Sequence, residues 1–362
     1  MLLRQCLGFL GAAVLMLLPQ LACIDPVGGT TVSGTALYAF DGTTGHALVW
    51  NDASQVYDAA SLPAADRTIS GNSLDQVKAL GWGGMAMDPT NNRLFLVTAA
   101  GKVARIDRVR TQNGALTSTN DVALFTLGSS SERLSNGVFG QAAVDPGTGT
   151  LYVTEANDTY SHVWVITNPG SISDGTTVAL SQIQAIAGTD TKATGVAVSQ
   201  GTVYAYFGGG DNVINNGTSY SGGRIRRGSG SSFSQVIVNS DTTVLGATGS
   251  LGLDSANSLL YVLRRDASGV VGDPPILVYK LGRFTSGFDQ ARDATLGTAT
   301  GQPNLRFITH AGNKDWLAGA NQVGTAGSTS IWLWRNPSVG DSPKTFELAG
   351  GLVLGLAFDG SN

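Results

Sequence analysis

Apolar residues along this chain fall in short runs separated by glycine-, Asp- or Asn-bearing turns, a pattern of many short strands rather than of helices. One unit of the pattern recurs: an apolar run ending in Asp, a turn, and a second apolar run. It reads MAMDPTNNRLFLV at Met85–Val97, AAVDPGTGTLYV at Ala142–Val153, VAVSQGTVYAYF at Val196–Phe207 and LGLDSANSLLYVL at Leu251–Leu263. A degraded copy, FITHAGNKDWLAG at Phe307–Gly319, puts His310 in the Asp slot. The markers Asp88, Asp145, Ser199, Asp254, His310 and Asp359 stand about 55 residues apart.

The last copy is split. GLVLGLAFDGSN (Gly351–Asn362) opens a unit whose continuation, LYAFDGTTGHALVW, occupies Leu37–Trp50. Third-strand candidates are His46–Trp50, Lys102–Asp107, His162–Thr167, Gly223–Gly228, Ile276–Leu281 and Ser330–Arg335. Fourth-strand candidates close on Gly71, Gly128, Gly188, Gly297 and Gly350. Four strands per unit in a closed ring predict an all-β, six-bladed β-propeller, each blade of four antiparallel strands, with blade 1 shared by residues 351–362 and 37–71. No amphipathic helix is expected in the body.

Composition fits turn-rich strands. Glycine makes up 49 of 362 residues and charged residues only 13%, about half the usual share of about 25%. A net charge of −4 without a basic run speaks against nucleic acid, whose phosphates need clustered Lys and Arg. The densest basic patch, Arg224, Arg226 and Arg227 with Arg264 and Arg265, reads as a solvated blade edge.

The amino terminus reads as an export signal over residues 1–22: one positive charge in Met1–Arg4, then the apolar stretch Leu7–Leu18. Cys23 stands where cleavage would fall, and with Cys6 inside the signal the body holds no cysteine. Cys23 resembles the lipid-modified cysteine of bacterial lipoproteins, with Ala22 before it and Leu21 one place later than that pattern has it. Residues 23–34 then form the lipidated cysteine and a flexible tether, and 35–362 the propeller. Ile24, rather than Asp, after the cysteine implies an outer-membrane or cell-surface destination; without the lipid the product is periplasmic or secreted.

Over Thr35–Asn362 the repeats resemble NHL-type and related six-bladed propellers of bacterial cell envelopes. The resemblance rests on the apolar-Asp-Pro turn and on TGQPN at Thr300–Asn304. It implies architecture more than activity, since such propellers include binding scaffolds, lactonases, lyases and quinone-dependent dehydrogenases. The chain carries no G-x-S-x-G, no H-E-x-x-H and no complete calcium loop, DNVINNG at Asp211–Gly217 lacking the closing Glu. His46, His162 and His310 sit in different repeats and are not expected to share an ion.

Candidate ligand-binding residues come from the turns between second and third strands. Those turns carry Asp41, then Glu155, Asn157 and Asp158, then Asp211 and Asn212, then Asp266, then Asn321 and Gln322, with Trp82 on a neighbouring connection. Turn chemistry accounts for most of these acids and amides. A calcium, carbohydrate or protein site would account for the excess, with Glu155, Asp158 and Asp211 the set that could hold calcium; no other cofactor is evident from the sequence. The reading is an exported, lipid-anchored propeller acting as an extracytoplasmic binding or protein-interaction module for a protein or carbohydrate ligand. The alternatives are a metal-assisted lactonase or hydrolase, for which no catalytic motif is found, and a passive cell-envelope structural protein.

Overall fold

The computed structural model describes residues 34–362 apart from 158, 180, 185–189, 210–212, 216–217, 221–222, 230–231, 238–247, 266–270, 286–291, 299–304, 322–328 and 361–362. Cys23, Asp158, Asp211, Asn212, Asp266, Gln322 and the TGQPN segment therefore lie outside the described residues, and of Trp82 only the backbone is described. The body is a six-bladed β-propeller. Its innermost strands are Val353–Asp359, Trp82–Asp88, Val138–Val144, Thr191–Ser199, Thr248–Asp254 and Leu305–His310, in blades 1 to 6 respectively. Each pairs antiparallel with the strand that follows it around the blade.

The second strands are the most buried. Ala36–Asp41 is buried at every position, because both faces of each blade pack on neighbouring blades, so these strands read as continuous rather than alternating apolar runs. Between blades 1 and 6 lie Leu37, Trp50, Phe307, Ile331 and Phe346; between blades 2 and 3 lie Phe95, Phe139, Leu151 and Trp164. Aromatic packing continues around the ring with Tyr204, Tyr206 and Tyr279, then Tyr261, Trp332 and Trp334.

The ring closes as the split repeat predicts. Strand Ala36–Asp41 pairs antiparallel with Val353–Asp359, Leu37 opposite Phe358 and Ala39 opposite Leu356. Arg110, from blade 2, adds a clasp: its guanidinium reaches Asp359 Oδ2 at 2.5 Å and Oδ1 at 3.0 Å and also donates to Pro89 O at 2.6 Å.

The recurring Asp has a local cause. Asp88 accepts from Asn91 N and Asn91 Nδ2 at 3.0 and 2.8 Å, and Asp254 accepts from Asn257 N and Nδ2 at 2.9 and 2.8 Å. The carboxylate thus folds the turn onto itself. Asn92, Gly149 and Ser258, four residues after their Asp, take the left-handed conformation at φ 55°, 68° and 55°, the geometry that reverses the chain into the second strand.

Three expectations need correction. First, two short helices occur, Ala53–Asp58 and Asn72–Ala79. Asp52 caps the first by accepting from Ser54 N at 2.8 Å, but each helix buries only two residues, Ala53 with Val56 and Leu74 with Val77, too few to register as a helical period. Second, blade 4 has a fourth strand, Ser232–Ile237, pairing with Arg224–Ser229, whose serine-rich start hides it. Third, Arg224, Arg226, Arg264 and Arg265 are buried rather than solvated. Arg226 pairs with Asp190 at 2.9 Å and Arg264 donates to Pro274 O at 2.9 Å, so these guanidiniums satisfy groups between strands.

Outer edges are sealed by segments of the next blade. Gly114–Ala115 pairs parallel with Arg67–Ser70, and Thr177–Val178 with Val122–Leu127. Arg67 donates to Val109 O and Gln112 O, both at 2.8 Å, and Arg105 to Pro169 O and Ile172 O at 2.9 and 2.8 Å. An unpaired edge invites intermolecular strand addition, and this arrangement covers it.

Candidate functional site

The inner strands leave an axial funnel of about 130 Å³ to which all six blades contribute. Its wall combines the apolar side chains Met85, Met87, Ala142, Val196, Leu251 and Ala357 with the polar residues Ser199, Thr309 and His310. Its rim carries Pro89, Pro146, Ser255, Gly312 and Gly360, residues that follow the marker positions. The funnel therefore flares toward the turns between first and second strands. Of the acidic and amide residues chosen from sequence, Asp41, Glu155 and Asn321 lie toward the other end of the strands, Asp41 pairing with Val353, Glu155 with Phe139 and Asn321 with Leu305.

Gln141 forms the floor. Each inner strand turns one edge toward the axis, and its backbone groups need partners there. Gln141 Nε2 donates to Leu251 O at 2.6 Å and Ile308 O at 3.4 Å, while Oε1 accepts from Val196 N at 3.1 Å and Leu251 N at 2.8 Å. One side chain of blade 3 thus ties blades 4, 5 and 6. Ser250 repeats the device on blade 6, exchanging bonds with Ile308 N and O, both at 3.1 Å. Thr194 Oγ1 accepts from Gly249 N at 2.9 Å. Aligning the markers sets Gln141 apart from most copies: corresponding places hold Gly84, Gly195, Ser250, Arg306 and Gly355, so a long polar side chain there occurs in only two of the six, although its partners cannot be read.

Glu155 is placed at the end of strand Leu151–Ala156, is 1% exposed, and accepts from Trp164 Nε1 at 2.8 Å and Leu134 N at 3.1 Å. His162 lies beside it, Nδ1 3.6 Å away, its ring edge-on to Trp164. The carboxylate is an internal brace rather than a member of an open turn. Asn157 holds its own turn, accepting from Thr159 N and Tyr160 N at 2.8 and 2.7 Å and donating to Ser135 O at 3.0 Å. Asp41 likewise accepts from Thr43 N, Thr44 Oγ1 and Leu352 N at 2.9, 2.7 and 3.0 Å, and Asn321 from Ser330 N at 2.6 Å.

The structure does gather one set of metal-competent side chains elsewhere. Asp254, His310 and Asp315 offer ligand atoms within 4.8 Å of one another at the boundary of blades 5 and 6. Sequence alignment places Asp254 and His310 at equivalent repeat positions, but the approach of Asp315 depends on how the turn after His310 folds back.

No known sequence family and no curated protein sequence matches the chain. Solved structures do resemble it. A chain of a nidogen/laminin complex superposes with TM-score 0.51 at 11% identity, covering 91% of this chain and all of that one. The RRP9 WD40 repeats give 0.48 at 14% identity, covering 88% of this chain and 79% of that one. Hydrazine synthase of Kuenenia stuttgartiensis gives 0.43 at 14% identity over 75% of this chain, which spans 66% of the length of that one. At such identities the likeness concerns the fold, and the class that fold and site define is the six-bladed β-propeller with a closed-floor axial funnel.

Proposed function

We propose that this chain is an exported propeller, lipid-anchored through Cys23, that serves as an extracytoplasmic binding module receiving an apolar group in its axial funnel. The observation that carries the reading is the funnel itself: apolar side chains such as Met85, Met87, Val196 and Leu251 gathered around one axis, with polar groups between them, over a floor whose polar atoms are already used by Gln141. A cavity of this size and chemistry matches a single aromatic or branched aliphatic side chain. Such an anchor residue, set in a pocket and surrounded by less demanding contacts, is a usual core of a protein interface. The signal reading and the NHL-type resemblance agree with a module working outside the cytoplasm. A nidogen/laminin complex contains a propeller of comparable fold, which supports the suitability of the scaffold for protein contacts.

The test uses methionine as reporter. The chain has four methionines, Met1, Met16, Met85 and Met87, so removal of the signal leaves two, both lining the funnel. Titrating N-acetyl-phenylalaninamide and N-acetyl-leucinamide into methyl-labelled mature protein should move both methyl resonances saturably. Resonances that stay fixed would rule out the funnel as an apolar receptor. For the anchor, Cys23→Ser should release the protein from the membrane fraction and abolish fatty-acid labelling; an unlabelled wild type would reject lipidation.

A further inference from the structure

The turn-side ends of blades 5 and 6 hold a group of side chains that neither the repeat nor the funnel requires. Asp254 ends one inner strand and His310 the next, and Asp315 returns to them across the turn at residues 311–314. Asp254 and the His310 side chain are fully buried, with His310 Nε2 3.7 Å from Asp254 Oδ2. Nε2 has no hydrogen-bond partner. Tyr261 stacks on His310, ring centroids 5.3 Å apart and 13° from parallel. It is 0% exposed and its hydroxyl is also without a partner. Burial raises its pKa, and Asp254 and Asp315 raise it further.

The charges here do not balance from within. Asp359, the equivalent marker in blade 1, has Arg110; among the described residues no Lys or Arg makes an ion pair with Asp254 or Asp315. Two carboxylates gathered about an imidazole whose Nε2 has no partner make a ligand set that a cation would complete.

We propose that Asp254, His310 and Asp315 form a binding site for one divalent metal ion of the zinc class, beside the buried Tyr261 ring that stacks on His310. One imidazole and two carboxylates are a mixed nitrogen and oxygen set that zinc accepts, whereas calcium prefers six or more oxygens. A dication leaves the cluster without net charge. Both carboxylates are already oriented from behind, Asp254 by Asn257 and Asp315 by Ser338 N at 3.2 Å together with Ser338 Oγ.

Loading has one local consequence. Gly312 N donates to His310 Nδ1 at 3.0 Å, so the ion-free ring carries its proton on Nε2. Binding at Nε2 moves that proton to Nδ1, and the Gly312 amide must turn away. Gly312 has φ +73° and open space around its Cβ position, which permits the movement. His310 also lines the funnel, so the ion would sit directly behind the wall of the proposed receptor.

The test is a calorimetric zinc titration of the untagged, metal-stripped protein, with backbone amide spectra recorded alongside. One zinc per chain should bind in the micromolar range or tighter, millimolar calcium should not replace it, and the Gly312 resonance should shift with zinc. Asp315→Asn, at the least enclosed ligand, should weaken zinc binding by about tenfold or more while the metal-free variant melts near the wild type. No zinc uptake by the wild type, equal uptake by Asp315→Asn, or displacement by calcium would each overturn the site. Should Asp315→Asn fail to fold, the wild-type spectrum decides: a zinc-dependent Gly312 shift upholds the site and an unmoved resonance overturns it.

Discussion

The side chain of Gln141 pairs with the backbone of Leu251 as a neighbouring strand would, donating to its carbonyl at 2.6 Å and accepting from its amide at 2.8 Å. The two residues belong to blades 3 and 5, so the bond spans the propeller axis. It supplies an edge that β-pairing cannot reach, since an innermost strand has no strand beyond it.

Gln141→Leu keeps the bulk but strips four bonds from the floor. A loss of about 2 to 4 kcal/mol is expected in chemical denaturation, because backbone groups of Val196 and Leu251 are left to water or to nothing while Ile308 O keeps its bond from Ser250. Gln141→Glu should be destabilising at neutral pH and milder in acid, where a protonated carboxyl can again donate to Leu251 O. Equal behaviour of the two variants at all pH values would contradict the donor role.

Arg110→Met should destabilise by about 3 kcal/mol, since it removes the guanidinium counter-charge from the fully buried Asp359 carboxylate. Adding Asp359→Asn to Arg110→Met should restore part of the loss by removing the buried charge. A double variant no better than the single one would show that the clasp acts through packing alone.

Glu155→Ala should lower the melting temperature whether or not calcium is present, with a loss of about 2 to 3 kcal/mol, because the Trp164 indole N–H and the Leu134 amide lose their acceptor. A variant as stable as wild type in chelator would return Glu155 to the surface role that its sequence position suggests.

Alkaline stability should fall in a defined window. Burial, and then Asp359, push Tyr38 up to about 12, Arg67 and Arg110 opposing. The unfolded tyrosine loses its proton near pH 10. Between those values the unfolded state binds fewer protons, so stability declines as pH rises from about 10 to about 12 and is unaffected below. Burial raises Tyr152, Tyr204, Tyr206 and Tyr261 as well, so Tyr38→Phe should lessen that decline without abolishing it. Phenolate absorbance should show Tyr38 ionising late, and a wild-type titration complete near pH 10 would contradict this.

Removing Gly351–Asn362 should leave the protein aggregated or unfolded, since it uncovers the paired edge of Ala36–Asp41 and the core around Leu37 and Phe358. A soluble truncated chain with unchanged melting would mean that this strand is dispensable to closure.

The sequence alone determined the ring. Short apolar runs, the recurring Asp and the split final repeat are local patterns, and Asp88 with Asn91 or Asp254 with Asn257 shows why they recur: the turn is built by side chains three residues apart. The same locality misled where the partner was distant. Glu155 follows a strand in the order of residues and reads as the start of an acidic turn, yet Trp164 and Leu134 enclose it; Arg224 and Arg264 read as a solvated edge, yet neighbouring strands bury them. Gln141 could be noticed as an odd residue in the repeat, but not its bonds to Leu251 and Ile308, and Asp315 had no pattern joining it to Asp254. Those relationships arise only when strands far apart in the chain are brought around one axis. Periodicity encodes which residues make a blade, and the packing of blades against one another decides which side chains face water, the channel or each other.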